Sequence, residues 1–225
     1  MSTQLTFNLP ALSAMGADDF IVTSSNQEAV AQLTRWPDWP ARTLILTGAQ
    51  GSGKTHLAQV WAQRSGAITV SGQALAEKLE PLLQQQAVII DDGDALIGNE
   101  SGEQALFHLY NHIQQTGTML FISTTPPGQA AIALPDLRSR LRAAPLLTLQ
   151  PPDDALLAAL LVKHFSDRQL RVGQDVVDYL LSRIERSAAA AAAAVVALDA
   201  AALAKRSAIT VPLARAVLEQ QSKLF

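Results

Sequence analysis

One short segment restricts the fold of this chain more than any other. Residues 48–55 read Gly-Ala-Gln-Gly-Ser-Gly-Lys-Thr and match the pattern G-x-x-x-x-G-K-[ST] at every fixed position. They follow an apolar run at 43–47 with strand character and precede a segment at 55–64 with helical character. A glycine-rich loop between a strand and a helix is typical of α/β folds that bind nucleotide phosphates.

The chemistry of such a loop accounts for its residue types. Glycines let the backbone turn so that successive N–H groups point at one anion, and the following helix N-terminus adds partial positive charge. We expect Lys54 to reach the β- and γ-phosphates of the nucleotide and the Thr55 hydroxyl to bind Mg²⁺. The residues expected to contact the nucleotide here are Gly48, Ala49, Gln50, Gly51, Ser52, Gly53, Lys54, Thr55 and His56.

A second apolar run ends in two carboxylates. Residues 87–90 read Ala-Val-Ile-Ile and are followed by Asp91 and Asp92. Ligands bind beyond the carboxyl ends of strands in open α/β sheets, so these side chains are expected at the nucleotide. We expect Asp91 to hold Mg²⁺ through water and Asp92 to polarise an attacking water, which makes Asp92 a candidate catalytic residue.

The chain alternates short apolar runs with helical patterns up to residue 150 and changes character at Pro151-Pro152-Asp153. The first part predicts an α/β fold with a mainly parallel sheet covered by helices on both faces. The second part, 151–225, contains only helical patterns, including the seven alanines of 188–194, and predicts a small all-helical domain. The strands are expected at 43–47, 67–70, 87–90, 118–123 and 146–149, and the helices at 26–33, 55–64, 74–83, 103–115, 137–141, 154–165, 174–184, 187–205 and 211–221.

Composition narrows the classes of function. The 225 residues are 48% apolar and 16% charged, as in globular proteins, and the net charge of −3 weakens a DNA-binding interpretation. The absence of cysteine excludes disulfides and cysteine-ligated metals. His108 and His112 lie four residues apart without an H-E-x-x-H pattern, so we interpret them as surface or core residues. The sequence predicts neither a signal peptide nor a membrane span, and we expect a cytoplasmic protein.

Further segments give the chain its resemblance to a known family. It resembles the AAA+ family, and within it the replication initiator DnaA, in the segments Phe20-Ile21-Val22 with Asn26, Asp91-Asp92, Ser123-Thr124-Thr125-Pro126-Pro127, Leu137-Arg138-Ser139-Arg140-Leu141 and Ile184-Glu185-Arg186-Ser187. This resemblance implies an AAA+ nucleotide-binding domain at 17–150 and a helical lid domain at 151–225.

The same resemblance assigns roles to individual residues. It implies that Ile21, Val22 and Asn26 contact the adenine. It also implies that Thr124 takes the catalytic sensor 1 position, where DnaA has an acidic residue. By the same resemblance, Arg140 would be the arginine finger that acts in trans on a neighbouring subunit, and Arg186 a nucleotide-contacting sensor 2 residue.

Within the DnaA relatives the chain is most similar to the Hda family of regulatory homologues. That similarity implies an N-terminal arm, 1–16, that docks on the DNA polymerase sliding clamp through Gln4, Leu5, Phe7 and Leu9. It also implies DnaA as a partner, whose bound ATP is hydrolysed with the help of Arg140, so that initiation of replication is negatively regulated. The cofactors would be ATP or ADP with Mg²⁺, the intrinsic ATPase would be weak, and a homo-oligomer is a further possibility. DnaA carries a helix-turn-helix DNA-binding domain after its AAA+ module, and we expect none in this sequence.

Two other functions are compatible with these residues. One is an ATP-dependent remodeller such as a helicase loader, which would self-assemble with nucleotide. The other is a non-catalytic adaptor that holds ADP.

Overall fold

The computed structural model describes residues 21–221, and the residues predicted to bind the sliding clamp, Gln4, Leu5, Phe7 and Leu9, lie outside this range. The described residues form two compact units. One comprises residues 25–151, and the other comprises residues 152–221 together with 21–24.

The first unit is built on a five-stranded sheet in the order β2-β3-β4-β1-β5. All four pairs of neighbouring strands are parallel. β1 and β4 are buried along their whole length, which explains why their sequences are continuous apolar runs and do not alternate with polar residues. The strands are β1 (Thr43–Gly48), β2 (Ile68–Ser71), β3 (Ala87–Asp91), β4 (Thr118–Ser123) and β5 (Leu146–Leu149).

Helices connect these strands, and the longest shows why the sequence folds in this way. α4 begins after Asn99, whose side chain accepts a hydrogen bond from the Gly102 N–H and so caps the first turn. It buries Leu106, Leu109 and Ile113 at helical spacing against the sheet core. The α-helices of this unit are α1 (Gln27–Leu33), α2 (Lys54–Ser65), α3 (Leu79–Leu82), α4 (Glu100–Thr116) and α5 (Pro135–Ala143). The predicted α/β fold with a parallel sheet and a helical lid is therefore confirmed.

The helix expected at 74–83 is wrong. The structure has a short 3₁₀ turn at Gly72–Ala74 and then only α3, Leu79–Leu82. Pro81 explains the difference, because its ring clashes with the carbonyl four residues earlier and it has no N–H to donate. A proline is tolerated in a first helical turn, so the helix begins only two residues before it.

The tryptophans of the chain form one cluster in the first unit. Trp39 stacks on buried Trp61 with 4.7 Å between ring centroids, and Trp36 meets Trp61 edge-on at 6.5 Å. The Trp36 indole N–H donates to Thr118 Oγ1 at 3.3 Å, and that of Trp39 donates to the Leu33 carbonyl at 3.0 Å. All three tryptophans of the sequence therefore lie in this unit.

The second unit is all-helical, with α6 (Asp154–Asp167), α7 (Gln174–Leu181), α8 (Ala188–Lys205) and α9 (Val211–Gln221). Side chains cap two of these helices. Asp153 accepts the Leu156 N–H at 2.7 Å at the start of α6, and Ser187 accepts the Ala190 N–H at 3.0 Å at the start of α8. The core of this unit includes Leu157, Phe165 and Leu198.

The alanine run lies on α8. Its buried residues follow helical spacing and face α6 and α9: Ala191, Ala194, Val195, Leu198 and Ala202. Nothing in the structure explains the alanines on the exposed face. Among the described helices, α8 is the one whose length and apolar composition would suffice to cross a membrane, a property that core helices share.

Candidate nucleotide-binding site

The glycine-rich loop connects the end of β1 to the start of α2. Gly53 precedes the helix with φ 99°, a conformation that side-chain-bearing residues rarely adopt. At Gly48 the neighbouring strand β5 comes so close that an added Cβ would lie 2.5 Å from the Leu149 carbonyl oxygen. Glycine is therefore required at both ends of the turn. The loop is followed directly by the N-terminus of the twelve-residue helix α2. The partial positive charge of that N-terminus adds to the effect of the loop amide groups, as an anion site needs.

Lys54 is the first residue of α2 and its amino group lies over the loop. Nζ donates to the Gly48 carbonyl at 2.7 Å and to the Ala49 carbonyl at 2.9 Å. Burial lowers the pKa of this amino group from its ordinary value, while the nearby carboxylates of Asp94 and Asp91 oppose that shift. The structure thus places a cation and two carboxylates within electrostatic reach of one another at the mouth of the loop.

Thr55 and Asp91 meet at this site although β3 and β1 are separated by β4. The Thr55 hydroxyl donates to Asp91 Oδ2 at 3.0 Å. Mg²⁺ binds through one or two protein oxygens with water and phosphate completing its shell, so these oxygens fit a magnesium ion bound with nucleotide. The described residues contain no cluster of three or more His, Cys, Asp or Glu side chains that would hold a metal by itself.

Asp92 follows Asp91 and is exposed at the end of β3. It has the left-handed conformation with φ 53° and ψ 49°, which aspartate adopts more readily than most residues, and its N–H donates to Asp91 Oδ1 at 2.9 Å. This turn directs the chain away from the sheet after β3. A side chain at Gly72 would collide with the Asp92 carbonyl, so the turn also depends on a glycine from the segment after β2.

Thr124, the predicted sensor 1 residue, contacts an aspartate that sequence reasoning missed. The Thr124 hydroxyl donates to Asp94 Oδ2 at 2.8 Å, and the Thr124 N–H donates to the same oxygen. The Thr125 N–H donates to Asp94 Oδ1 at 3.2 Å. Asp94 therefore joins the loop after β3 to the end of β4. Its one sequence signal was its place in the acidic stretch that begins at Asp91.

A second missed residue is Glu103 on α4, which is only 1% exposed. Its carboxylate accepts the N–H groups of Gly98 at 2.9 Å, Ala133 at 3.0 Å and Leu134 at 2.7 Å. Burial by itself would raise the pKa of this carboxyl, but the three N–H donors and Arg138 outweigh it and lower the pKa. Glu103 thereby fixes the residues immediately before α5, the helix that carries Arg138 and Arg140.

Arg140 is exposed, and its contacts lie on α4. The guanidinium carbon is 5.1 Å from the ring centroid of Phe107 and 5.7 Å from that of Tyr110, within the range of cation–π attraction. The structure therefore does not bring Arg140 to the loop of its own chain. Arg142, on the same helix, instead donates to the Gly128 carbonyl at 3.0 Å.

The other residues expected at the nucleotide are described within their own units. Asn26 is buried at the start of α1 in the first unit. Ile21, Val22 and Arg186 belong to the second unit, where exposed Arg186 pairs with Asp154 at 2.7 Å.

Comparison with known proteins gives matches for both sequence and fold. The family model described as the Hda lid domain matches residues 153–218. A protein of Haemophilus influenzae, described only as uncharacterized, is 31% identical over 182 residues, which is 76% of this chain and 79% of that protein.

The similar solved structures agree on the fold. Domain III of the Thermotoga maritima replication initiation protein DnaA has a TM-score of 0.76 at 18% identity, covering 89% of this chain and 94% of that one. The AMPPCP-bound DnaA of Aquifex aeolicus has a TM-score of 0.64 at 22% identity, with 74% and 59% covered. The Thermotoga maritima Holliday junction branch migration motor RuvB has a TM-score of 0.69 at 19% identity, with 86% and 68% covered.

Proposed function

Because this chain belongs to the DnaA-like AAA+ family, in its Hda branch, we propose that it is a nucleotide-binding regulator of DNA replication initiation. It binds ATP or ADP with Mg²⁺ at residues 48–55 and promotes hydrolysis of the ATP bound to DnaA. The observation that carries this proposal is the 3.0 Å hydrogen bond between Thr55 and Asp91, which joins the phosphate loop to the acidic end of β3.

Nucleotide binding is supported by the arrangement of charge around the loop. Lys54 stands at the N-terminus of α2, where a phosphate is favoured, and Asp91 faces Thr55, so these two residues would hold a magnesium ion that neutralises phosphate charge. A DnaA of the same fold carries AMPPCP in its structure. Asp92 is the residue that would polarise water, and Asn26 of the same unit would contact the adenine.

The action on DnaA rests on Arg140. Its guanidinium lies on two aromatic rings of α4, which hold it in place within its own subunit. Because it is also exposed, it can face a neighbouring subunit. An arginine supplied in trans stabilises the charge of the phosphoryl-transfer transition state and accelerates hydrolysis by about 10³–10⁵-fold in other NTPases. The protein thus acts mainly on its partner's ATP and has a weak ATPase of its own.

Location at the replication machinery is assigned to the arm at 1–16. Gln4 would hydrogen-bond at the rim of a pocket on the sliding clamp, while Leu5, Phe7 and Leu9 fill apolar pockets. Docking there in the cytoplasm would bring Arg140 to DnaA and end an initiation event.

The arginine role is tested by Arg140→Ala, with Arg142→Ala as the matched control on the same helix. We expect Arg140→Ala to bind ADP like the unaltered protein and to lose stimulation of DnaA ATP hydrolysis by a factor of about 10³. Arg142→Ala should keep most of the stimulation. Equal stimulation by both variants would reject the assignment of Arg140.

The clamp role is tested separately by replacing Leu5 and Phe7 with Ala. We expect the double variant to lose capture by immobilised sliding clamp while its affinity for ADP is unchanged. Retention on the clamp would show that the arm does not carry the contact.

A further inference from the structure

Asp94 is the acidic residue of the site that the proposed roles leave unused. Both of its carboxylate oxygens are engaged by the end of β4, through the N–H and hydroxyl of Thr124 and the N–H of Thr125. These three hydrogen bonds hold the carboxylate in one orientation. The position of Asp94 is therefore defined by β4 as well as by its own loop.

The bond from Thr124 has a consequence for nucleotide recognition. A threonine hydroxyl has a single hydrogen to donate, and that of Thr124 is given to Asp94 Oδ2. The hydroxyl can then offer only lone pairs to a ligand. Phosphate oxygens are also acceptors, so the Thr124 hydroxyl cannot form a hydrogen bond to a terminal phosphate while it donates to Asp94.

The negative charge of Asp94 would also disfavour a nucleoside triphosphate. Its carboxylate interacts electrostatically with the amino group of Lys54, the group expected at the β- and γ-phosphates. Because Lys54 is expected at the β- and γ-phosphates, the negative charge of a third phosphate would come within electrostatic reach of this carboxylate. Repulsion between the two would weaken binding of a nucleoside triphosphate more than that of a diphosphate.

We propose that Asp94 is a specificity-determining residue that disfavours ATP relative to ADP, by withholding the Thr124 hydroxyl proton and by placing a negative charge near the third phosphate. This inference rests on the proposed binding of adenine nucleotides. It assigns to Asp94 the choice between two nucleotides, a role distinct from metal binding by Asp91 and from water activation by Asp92.

The experiment measures dissociation constants for Mg-ADP and for Mg-AMPPCP, which is not readily hydrolysed, with the full-length chain. The variants are Asp94→Ala, Asp94→Asn, Thr124→Val and the double variant Asp94→Ala/Thr124→Val. Asparagine removes the charge and keeps an oxygen that can accept the Thr124 hydroxyl, while its NH₂ group replaces the oxygen that accepts the Thr125 N–H. Alanine removes the charge and also frees the hydroxyl. The quantity compared is the ratio of the two dissociation constants, because a general loss of affinity cancels in it.

We expect Asp94→Ala to shift the ratio toward AMPPCP by about tenfold or more, and Asp94→Asn to produce a smaller shift in the same direction. The double variant should fall back to the level of Asp94→Asn, since the freed hydroxyl is then absent. Thr124→Val alone should shift the ratio less than Asp94→Ala does, because its hydroxyl already donates to Asp94.

Ratios within about twofold of the unaltered protein for both Asp94 variants would overturn the inference, even if both affinities fell together. Should Asp94→Ala fail to fold, Asp94→Asn decides the charge contribution by itself. Failure of the unaltered chain to bind either nucleotide would instead reject the proposed function, so the two failures are distinguishable.

Discussion

Glu103→Gln tests whether a buried carboxylate holds the first unit together. The substitution keeps the size of the side chain and replaces one carboxylate oxygen by an NH₂ group. Glu103 accepts three backbone N–H groups. An amide can satisfy the two that share Oε1, while its NH₂ would face the Leu134 N–H and leave that donor unpaired.

The magnitude follows from these contacts. A buried donor left unpaired costs about 1–3 kcal/mol, and a hydrogen bond to a charged group exceeds a neutral one by about 1 kcal/mol. Gly98 and Ala133 are exposed residues, so water can compensate part of the loss at their N–H groups. We therefore expect the free energy of unfolding of this unit to fall by about 2–4 kcal/mol, a large part of the ~5–15 kcal/mol that stabilises a typical domain.

Urea unfolding followed by tryptophan fluorescence is the suitable assay. Trp36, Trp39 and Trp61 all lie in the same unit as Glu103, so the signal reports that unit alone. With about 1–3 kcal/mol per molar urea, the midpoint should fall by about 1 M or more at pH 7. Glu100→Gln is the matched control, because Glu100 is exposed on the same helix and its change should cost less than about 1 kcal/mol.

The pH dependence supplies an independent check. Glu103 has a lower pKa in the folded state than in the unfolded state, so its contribution is complete above the unfolded pKa of about 4.3 and is lost as the pH falls through the lower folded value. Glu103→Gln should therefore lose less stability than the unaltered protein as the pH falls from neutral through about 4.3 and below. Equal midpoints for the Glu103 and Glu100 variants at pH 7, or equal acid sensitivity with and without Glu103, would refute the reasoning.

Other predictions concern the loop, the sheet and the lid. Lys54→Ala should weaken ADP binding by about 10–100-fold in a fluorescent-nucleotide titration, since a charge-assisted contact is lost, and an unchanged affinity would contradict the site. Gly93→Ala should destabilise the first unit by about 1–3 kcal/mol in the tryptophan assay, because the added methyl meets the Phe121 ring, whereas Gly128→Ala, with nothing within 4 Å, should not. Ser187→Ala should cost α8 its cap, about 1 kcal/mol, seen as faster amide exchange at the start of α8. The control Ser182→Ala, which caps no helix start, should leave that exchange unchanged.

The parts of this molecule that the sequence predicts well are those specified by adjacent residues. The loop at 48–55 needs glycines and a lysine at fixed spacing, and Asp91 needs only a buried strand before it. Local patterns of this kind also predict the parallel sheet, because buried strands of four to six residues alternate with helices.

Asp94 and Glu103 were missed for the opposite reason. Asp94 bonds to Thr124 and Glu103 bonds to Ala133, each thirty residues further along the chain. No spacing in the sequence indicates such a pair before the fold brings β4 and α5 beside them. The aromatic support of Arg140 is likewise non-local, since Phe107 lies on another helix. Pro81 differs from these non-local contacts, because it interrupts the helix expected at 74–83 through a local effect that the sequence itself contains.

The position of β5 beside β1 bears on how this protein acquires its shape during synthesis. Gly48 is paired with Leu149, about a hundred residues later, and the two backbones touch there. The strand that lies beside Gly48 in the finished sheet is therefore synthesised only about a hundred residues after the phosphate loop. Pairing of strands so far apart in the chain is intrinsically slow, so we expect the surroundings of the loop to be completed late in folding.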